Sequence, residues 1–219
     1  MTTIGLLTIG HAPRTDVTPD ILAQLPDEVD VVEAGALDPF DSAAEVRGAL
    51  GPHEGQPVFV TRLRDGSSVT VPQEPVFDLL QERVYELAED ATMIGVLCTG
   101  DFPPFDADVP VLEPSELLHA WATSIVDGGT IGVLTPKPEQ ITQATEKWAD
   151  FEVVTAAGSP YTGADEVAAA ATEIGTGTDL VVMDCIGYTP AMKAAVRERT
   201  GTGVLLSRSV LAKTTAEVL

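Results

Sequence analysis

The sequence contains no asparagine, four lysines and two cysteines, and aromatic residues make up 5% of its 219 positions. Each shortage excludes something. Two cysteines cannot build a disulfide framework, so reduced thiols in a cytoplasm are expected, with a single bridge as the alternative. No apolar run approaches the roughly 20 residues of a membrane span, and the N-terminus lacks the basic region of a signal peptide. No cluster of His, Cys and carboxylates has zinc spacing; His53 and His119 have no such constellation around them. Gly175-Thr176-Gly177 lacks the rest of a dinucleotide fingerprint, and no phosphate-loop motif occurs. Bases are scarce: 12 against 34 acids, for a net charge of −22. A polyanion repels phosphate backbones, which argues against nucleic acid as a partner.

Hydrophobic residues supply 44% of the chain, enough for a proper core as one large domain or two small ones. The acids are spread along the chain rather than gathered in a tail, which reads as an acidic folded surface of the kind suited to high salt. Two stretches organise the remainder. Met93–Phe102 is an apolar run of strand length that ends on Cys98 before Thr99-Gly100-Asp101. Leu180–Thr189 repeats the construction around Cys185. Each cysteine stands where a buried parallel strand hands over to a loop, the edge where open α/β sheets bind ligands.

Strands are expected at Ile4–Ile9, Val29–Val32, Val109–Leu112, Thr130–Leu134, Phe151–Thr155 and Val204–Leu206, besides the two cysteine strands. Asp65-Gly66 marks a hairpin between Val58–Leu63 and Ser68–Val71. Helices are expected around Ile21–Leu25 and over Leu37–Leu50, Glu74–Glu89, Pro114–Val126, Glu139–Trp148, Ala164–Ile174, Pro190–Arg199 and Ser209–Leu219. This βαβα order calls for parallel sheets with right-handed crossovers. An internal repeat is visible: Ile4-Gly5-Leu6-Leu7-Thr8 matches Ile131-Gly132-Val133-Leu134-Thr135, the cysteine strands match each other, and Val109–Leu112 matches Gly203–Leu206. The fold class is therefore α/β, in two pseudo-symmetric domains. Each is a short, mostly parallel sheet flanked by helices: 1–112 plus 208–219 form the N-terminal domain and 113–207 the C-terminal one.

Three segments carry a family resemblance: Thr8-Ile9-Gly10-His11-Ala12-Pro13-Arg14-Thr15-Asp16, Leu97–Phe102 and Met183–Thr189. On these the chain resembles the AroM family, within the aspartate/glutamate racemase-like superfamily that also holds hydantoin racemases, maleate isomerases and arylmalonate decarboxylases. The resemblance implies an active site in the cleft between the two domains. The chain departs from the amino-acid racemase pattern, which usually places Asn-Thr after the first cysteine and Thr after the second. Here Thr99-Gly100 and Ile186-Gly187 follow, so an ordinary aspartate or glutamate is not the expected substrate.

Inverting a carbon next to a carboxylate takes a base on one face and an acid on the other, and a thiolate/thiol pair supplies both without cofactor or metal. Cys98 and Cys185 are the candidate catalytic residues; each alone could be a small buried hydrophobe. Helices expected soon after both would lower their pKa values. Arg14 is the candidate carboxylate clamp, or else a surface ion pair. Thr99, Gly100, Thr135, Gly187 and Thr189 offer hydroxyls and backbone N–H groups, although the threonines could be plain N-caps. Tyr188 is either a donor to substrate or a half-buried ring. His11 is a candidate proton shuttle or plain surface. Asp101 and Asp184 could orient a thiol or hold a substrate ammonium.

The expected activity is a cofactor-independent racemase, epimerase or isomerase of a small carboxylate. The alternatives are a one-cysteine decarboxylase or lyase on the same fold, and a non-catalytic small-ligand binding protein. Neither nucleic acid nor membrane is an expected partner; a homodimer is compatible with this reading.

The charge yields a prediction. Like-charge repulsion is relieved as the screening length shrinks from about 10 Å at 0.1 M salt to about 3 Å at 1 M. The thermal midpoint, followed by circular dichroism, should rise across that range of potassium chloride; a flat or falling midpoint would contradict an acid-strained surface.

Overall fold

Strand β9 (Leu180–Met183) shows why the chain folds in layers. All four of its residues are buried, and they alternate between two cores. Leu180 and Val182 pack with Leu118, Trp148 and Val210, whereas Val181 and Met183 pack with Val167, Tyr188 and Val196. A strand covered on both faces belongs inside a parallel sheet flanked by helices.

The computed structural model describes residues 2–51 and 55–219; His53 lies outside them. In chain order the elements are β1 (Thr2–Thr8), α1 (Thr18–Leu22), β2 (Val29–Gly35), α2 (Ala43–Leu50), β3 (Val58–Arg62), β4 (Ser68–Pro72), α3 (Gln73–Ala88), β5 (Met93–Val96), β6 (Val111–Leu112), α4 (Pro114–Ile125), β7 (Thr130–Thr135), α5 (Ile141–Lys147), β8 (Glu152–Ala157), α6 (Ala164–Ala170), β9, α7 (Pro190–Thr200), β10 (Val204–Leu206) and α8 (Ser207–Val218). Short 3₁₀ turns precede α5 and follow α6.

The chain divides into two units. The first comprises the described residues up to Thr18, Leu25–Glu113 and Leu219; the second comprises Pro19–Gln24 and Pro114–Val218. The first holds a parallel sheet in the order β2-β1-β5-β6 and the antiparallel hairpin β3–β4. Helix α3 buries Val76, Leu80, Val84 and Leu87 at helical spacing, and all four join one core with Leu7, Ile94, Val96 and Val71. The second unit holds a parallel sheet in the order β8-β7-β9-β10.

The two sheets have the same topology, and the repeat extends to single hydrogen bonds. Ile4 pairs with Met93 as Ile131 pairs with Leu180, and Leu7 with Val96 as Leu134 with Met183. Thr92 N donates to Thr3 O at 2.9 Å where Asp179 N donates to Thr130 O at 2.8 Å. Ala36 N donates to Thr8 O, and Gly158 N to Thr135 O, both at 2.9 Å. In this register Cys98 and Cys185 occupy equivalent places.

Three expectations are corrected. The helix expected from Leu37 begins only at Ala43, behind the N-cap Ser42. Residue 38 precedes a proline and is biased away from helix, and the Asp38 carboxylate accepts from Gly35 N at 2.7 Å and Ala12 N at 2.9 Å, holding a turn there. The closing helix, expected with the first domain, belongs to the second unit because Val210 sits in the core with Leu118 and Ala122. Finally, no helix follows Cys98 before β6; Pro103-Pro104 deprives that segment of two backbone donors.

Candidate active site

In each unit the strand order reverses beside the first strand. The chain leaves β1 for β2 on one side, then returns to β5 on the other, and β7, β8 and β9 repeat the pattern. Such a reversal opens a crevice at the carboxyl ends of the two central strands, where doubly wound sheets bind ligands. Thr8 through Arg14 and Leu97 through Gly100 stand at that edge of the first unit. Thr135 and Asp184 through Gly187 stand at the same edge of the second.

Both cysteines are thiols, and both are half-buried. Each sulfur accepts a hydrogen bond from the backbone two residues on: Gly100 N to Cys98 Sγ at 3.2 Å and Gly187 N to Cys185 Sγ at 3.4 Å. The motif was legible as the Cys-x-Gly spacing that both strand ends share. Glycine suits the first turn because a Cβ on Gly100 would lie 2.8 Å from the Phe59 ring. Phe59 stacks on Phe102 with centroids 5.5 Å apart, and Phe77 and Phe105 extend the cluster. Cys98 packs against the first unit's hydrophobic core, to which Phe59 belongs.

The loop after β1 is rigidly seated. A Cβ on Gly10 would fall 2.1 Å from Arg62 O, and one on Gly35 would fall 2.2 Å from Gly10 O, so backbone touches backbone at both places. His11 is buried. Its Nδ1 accepts from Arg64 N at 2.9 Å, which assigns any proton of the neutral ring to Nε2; Nε2 is itself buried with no hydrogen-bond partner among the described residues.

Arg14 is also buried. It makes the bidentate carboxylate clamp its residue type suggests, but with its own loop: Nε and Nη2 donate to the two oxygens of Asp16 at 2.8 and 2.9 Å, and Nη1 donates to Thr8 Oγ1 at 3.2 Å. Burial pushes the Asp16 carboxyl up, but the Arg14 hydrogen bond and charge outweigh it and hold the group below its ordinary value, with Arg62 adding attraction.

In the second unit several candidate residues have partners within the unit. Tyr188 is fully buried and donates its hydroxyl to Gly158 O at 2.6 Å. Burial drives its phenol well above the usual range, with Cys185 and Asp184 adding repulsion. Thr189 is the N-cap of α7, accepting from Met192 N at 3.3 Å. Thr135 Oγ1 lies 3.2 Å from Lys137 O and 3.4 Å from Ala156 O. Asp184 turns away from the cysteine side because strand alternation sends it to the Leu180–Val182 face. There it pairs with Lys147 Nζ at 3.0 Å and accepts from Trp148 Nε1 at 2.9 Å. Asp101 is exposed and Thr99 half-buried at the first unit's edge.

Sequence reasoning missed the braces. Ser207 Oγ donates to Cys185 O at 2.7 Å, and Arg208 donates from Nε and Nη2 to Ile186 O at 3.0 and 2.8 Å while pairing with Asp20 at 2.6 Å. Arg208 is fully buried. A lone arginine opening a helix carries no sequence signal for such a role. Among the described residues no group of three His, Cys, Asp or Glu is placed to hold a metal ion, and no helix is long and apolar enough to cross a membrane.

The AroM protein family model matches residues 4–219. The chain belongs to the AroM family. No curated protein matches the sequence. Among solved structures, the AroM chain is similar to the allantoin racemase from Klebsiella pneumoniae, at 12% identity and a TM-score of 0.63 over 100% of this chain and 87% of that one. It is similar to the glutamate racemase from Aquifex pyrophilus at 14% identity and 0.58, over 100% and 84%. It is also similar to an arylmalonate decarboxylase at 13% and 0.60, over 100% and 92%. At these identities the AroM protein shares a racemase-like fold with them.

Two substitutions separate bracing from ligand contact. Tyr188→Phe should cost about 1 kcal/mol, the usual net value of one hydrogen bond, without altering ligand affinity. Arg208→Ala should cost about 2–3 kcal/mol by leaving a buried carbonyl unpaired. Both are read as shifts in the urea midpoint at unchanged slope. A change in ligand affinity for Tyr188→Phe would return its hydroxyl to the site.

Proposed function

We propose that this AroM protein inverts or isomerises a small carboxylate at the carbon next to the carboxyl group, with Cys98 and Cys185 as the acid/base pair. One observation carries the reading: two thiols at register-equivalent ends of the two switch-point strands, each with a glycine N–H donated to sulfur. Matched placement is what a reaction needs when its two faces demand the same group in opposite protonation states.

In the proposed step one cysteine thiolate removes the substrate's α-proton. The C–H electron pair moves toward the carboxylate as an enediolate, and the other thiol delivers its proton to the opposite face. The two thiols exchange protonation states with each turnover, and the reverse reaction restores them. Thr99 and His11 Nε2 are the proposed donors to the carboxylate, and Arg14 lends positive charge beside Thr8. No cofactor enters this balance. Reduced thiols suit a cytoplasmic setting.

The similarity to an arylmalonate decarboxylase supports a second reading, in which one thiol protonates a carbanion left by loss of carbon dioxide. The test begins with a screen of small 2-substituted carboxylates and hydantoins for deuterium incorporation from heavy water. With a substrate in hand, Cys98→Ser and Cys185→Ser should each lose inversion by at least about a hundredfold, the usual span of general acid–base catalysis. Each should retain exchange from one enantiomer only, with opposite preferences. If Cys185→Ser turns substrate over as fast as wild type, the one-thiol reading replaces this one. If the wild type binds but never exchanges, the protein is a ligand-binding module.

A further inference from the structure

This acidic chain carries one stretch of reversed sign. Between Cys185 and Lys213 there are five bases and a single acid, Glu198, within a protein of net charge −22. Two of those bases, Arg197 on α7 and Lys213 on α8, act on a third, Lys193 on α7: Lys193 sits below the usual lysine range, first through burial and then through repulsion from Lys213 and Arg197. Among the described residues none of the three takes part in a salt bridge, although the chain offers 34 acids.

Local helix chemistry explains only part of this. Arg197 and Arg199 fall in the last turn of α7, where cations complement the helix dipole. Lys193 falls near its start, where the dipole disfavours a cation, and it stands four residues before Arg197, a spacing at which like charges repel. Beside them lies an open, solvent-exposed cavity of about 630 Å³ lined by Pro190, Lys193, Ala194, Arg197, Glu198 and Gly201, all exposed but the half-buried Lys193. That volume is within the range of small-molecule sites, roughly 300–1,000 Å³.

We propose that this cavity is a binding site for a small phosphate-bearing molecule, distinct in its residues from the cysteine site and independent of the function proposed above. Lys193 and Arg197 in the lining, with Lys213 close enough to repel Lys193, need more than one negative charge to balance them, which a phosphate group supplies and a single carboxylate does not. Arg197 offers a planar fork for two phosphate oxygens, and the lysines add point charges. Glu198, the one acid in the lining, sets a cost that selects against weakly charged ligands.

The probe is inorganic pyrophosphate, titrated calorimetrically into the whole protein at about 0.05 M ionic strength, where screening is weak. Citrate at matched ionic strength separates phosphate from polycarboxylate recognition. Saturable binding of pyrophosphate, at least tenfold tighter than citrate, is expected. The double variant Lys193→Gln/Arg197→Gln should lose at least tenfold, while Arg47→Gln, an equal kind of charge change on α2, should leave binding unchanged. Circular dichroism and the thermal midpoint check that the double variant is folded; if it is not, Lys213→Gln alone should still lose binding severalfold. Absence of saturable binding, equal losses in Arg47→Gln, or citrate binding as tightly as pyrophosphate would each overturn the proposal.

Discussion

The parallel pairing of β1 with β5, and of β7 with β9, is the constraint on which everything else depends. A strand buried on both faces cannot slip by one residue without sending its core side chains to the wrong layer. Once Val181 and Met183 are committed to one core and Leu180 and Val182 to the other, Cys185 and Asp184 must part company. Cys185 falls on the Tyr188 side and Asp184 on the Trp148 side. The same register, fixed by Leu7 against Val96, delivers Cys98 to the matching place in the first unit. The thiols are positioned by hydrophobic burial acting several residues away.

The two thiol environments nevertheless differ in what holds them. Cys98 is backed by the hydrophobic core that includes Phe59 and followed by a proline-stiffened segment. Cys185 is held by hydrogen bonds from Ser207 and Arg208 to its own loop carbonyls, and the capped start of α7 follows closely. Apolar packing on one side and polar bracing on the other achieve similar rigidity by different physics. The first tolerates volume-conserving exchange of its rings, whereas the second contains a buried charge that cannot be removed without leaving partners unsatisfied.

Much of this was legible from residue order because it depends on short-range pattern. Apolar runs gave the strands, the Asp65-Gly66 turn gave the hairpin, and the repeat of Ile4–Thr8 at Ile131–Thr135 anticipated two sheets of one topology. The failures were of one kind. Asp38 catching two backbone donors, Asp16 filling the Arg14 fork, Lys147 meeting Asp184 and Arg208 reaching Ile186 are contacts between polar groups brought together by the fold. Their partners lie from two to 37 positions apart, and no periodicity marks them. Tyr188 and Thr189 were left with two readings for the same reason: a hydroxyl looks the same in sequence whether it faces a ligand or meets a neighbouring backbone group.

The Arg14–Asp16 pair has a bearing on selectivity. Asp16 is a carboxylate tethered two residues from the guanidinium it occupies, so it competes at the high effective concentration of an intramolecular rival. A monocarboxylate from solution offers the fork nothing that Asp16 does not already provide. Under the proposed function Arg14 is therefore a threshold rather than an open hand: the loop keeps its charge in place with Asp16 in the fork, to be displaced only by a ligand whose other contacts make up the difference.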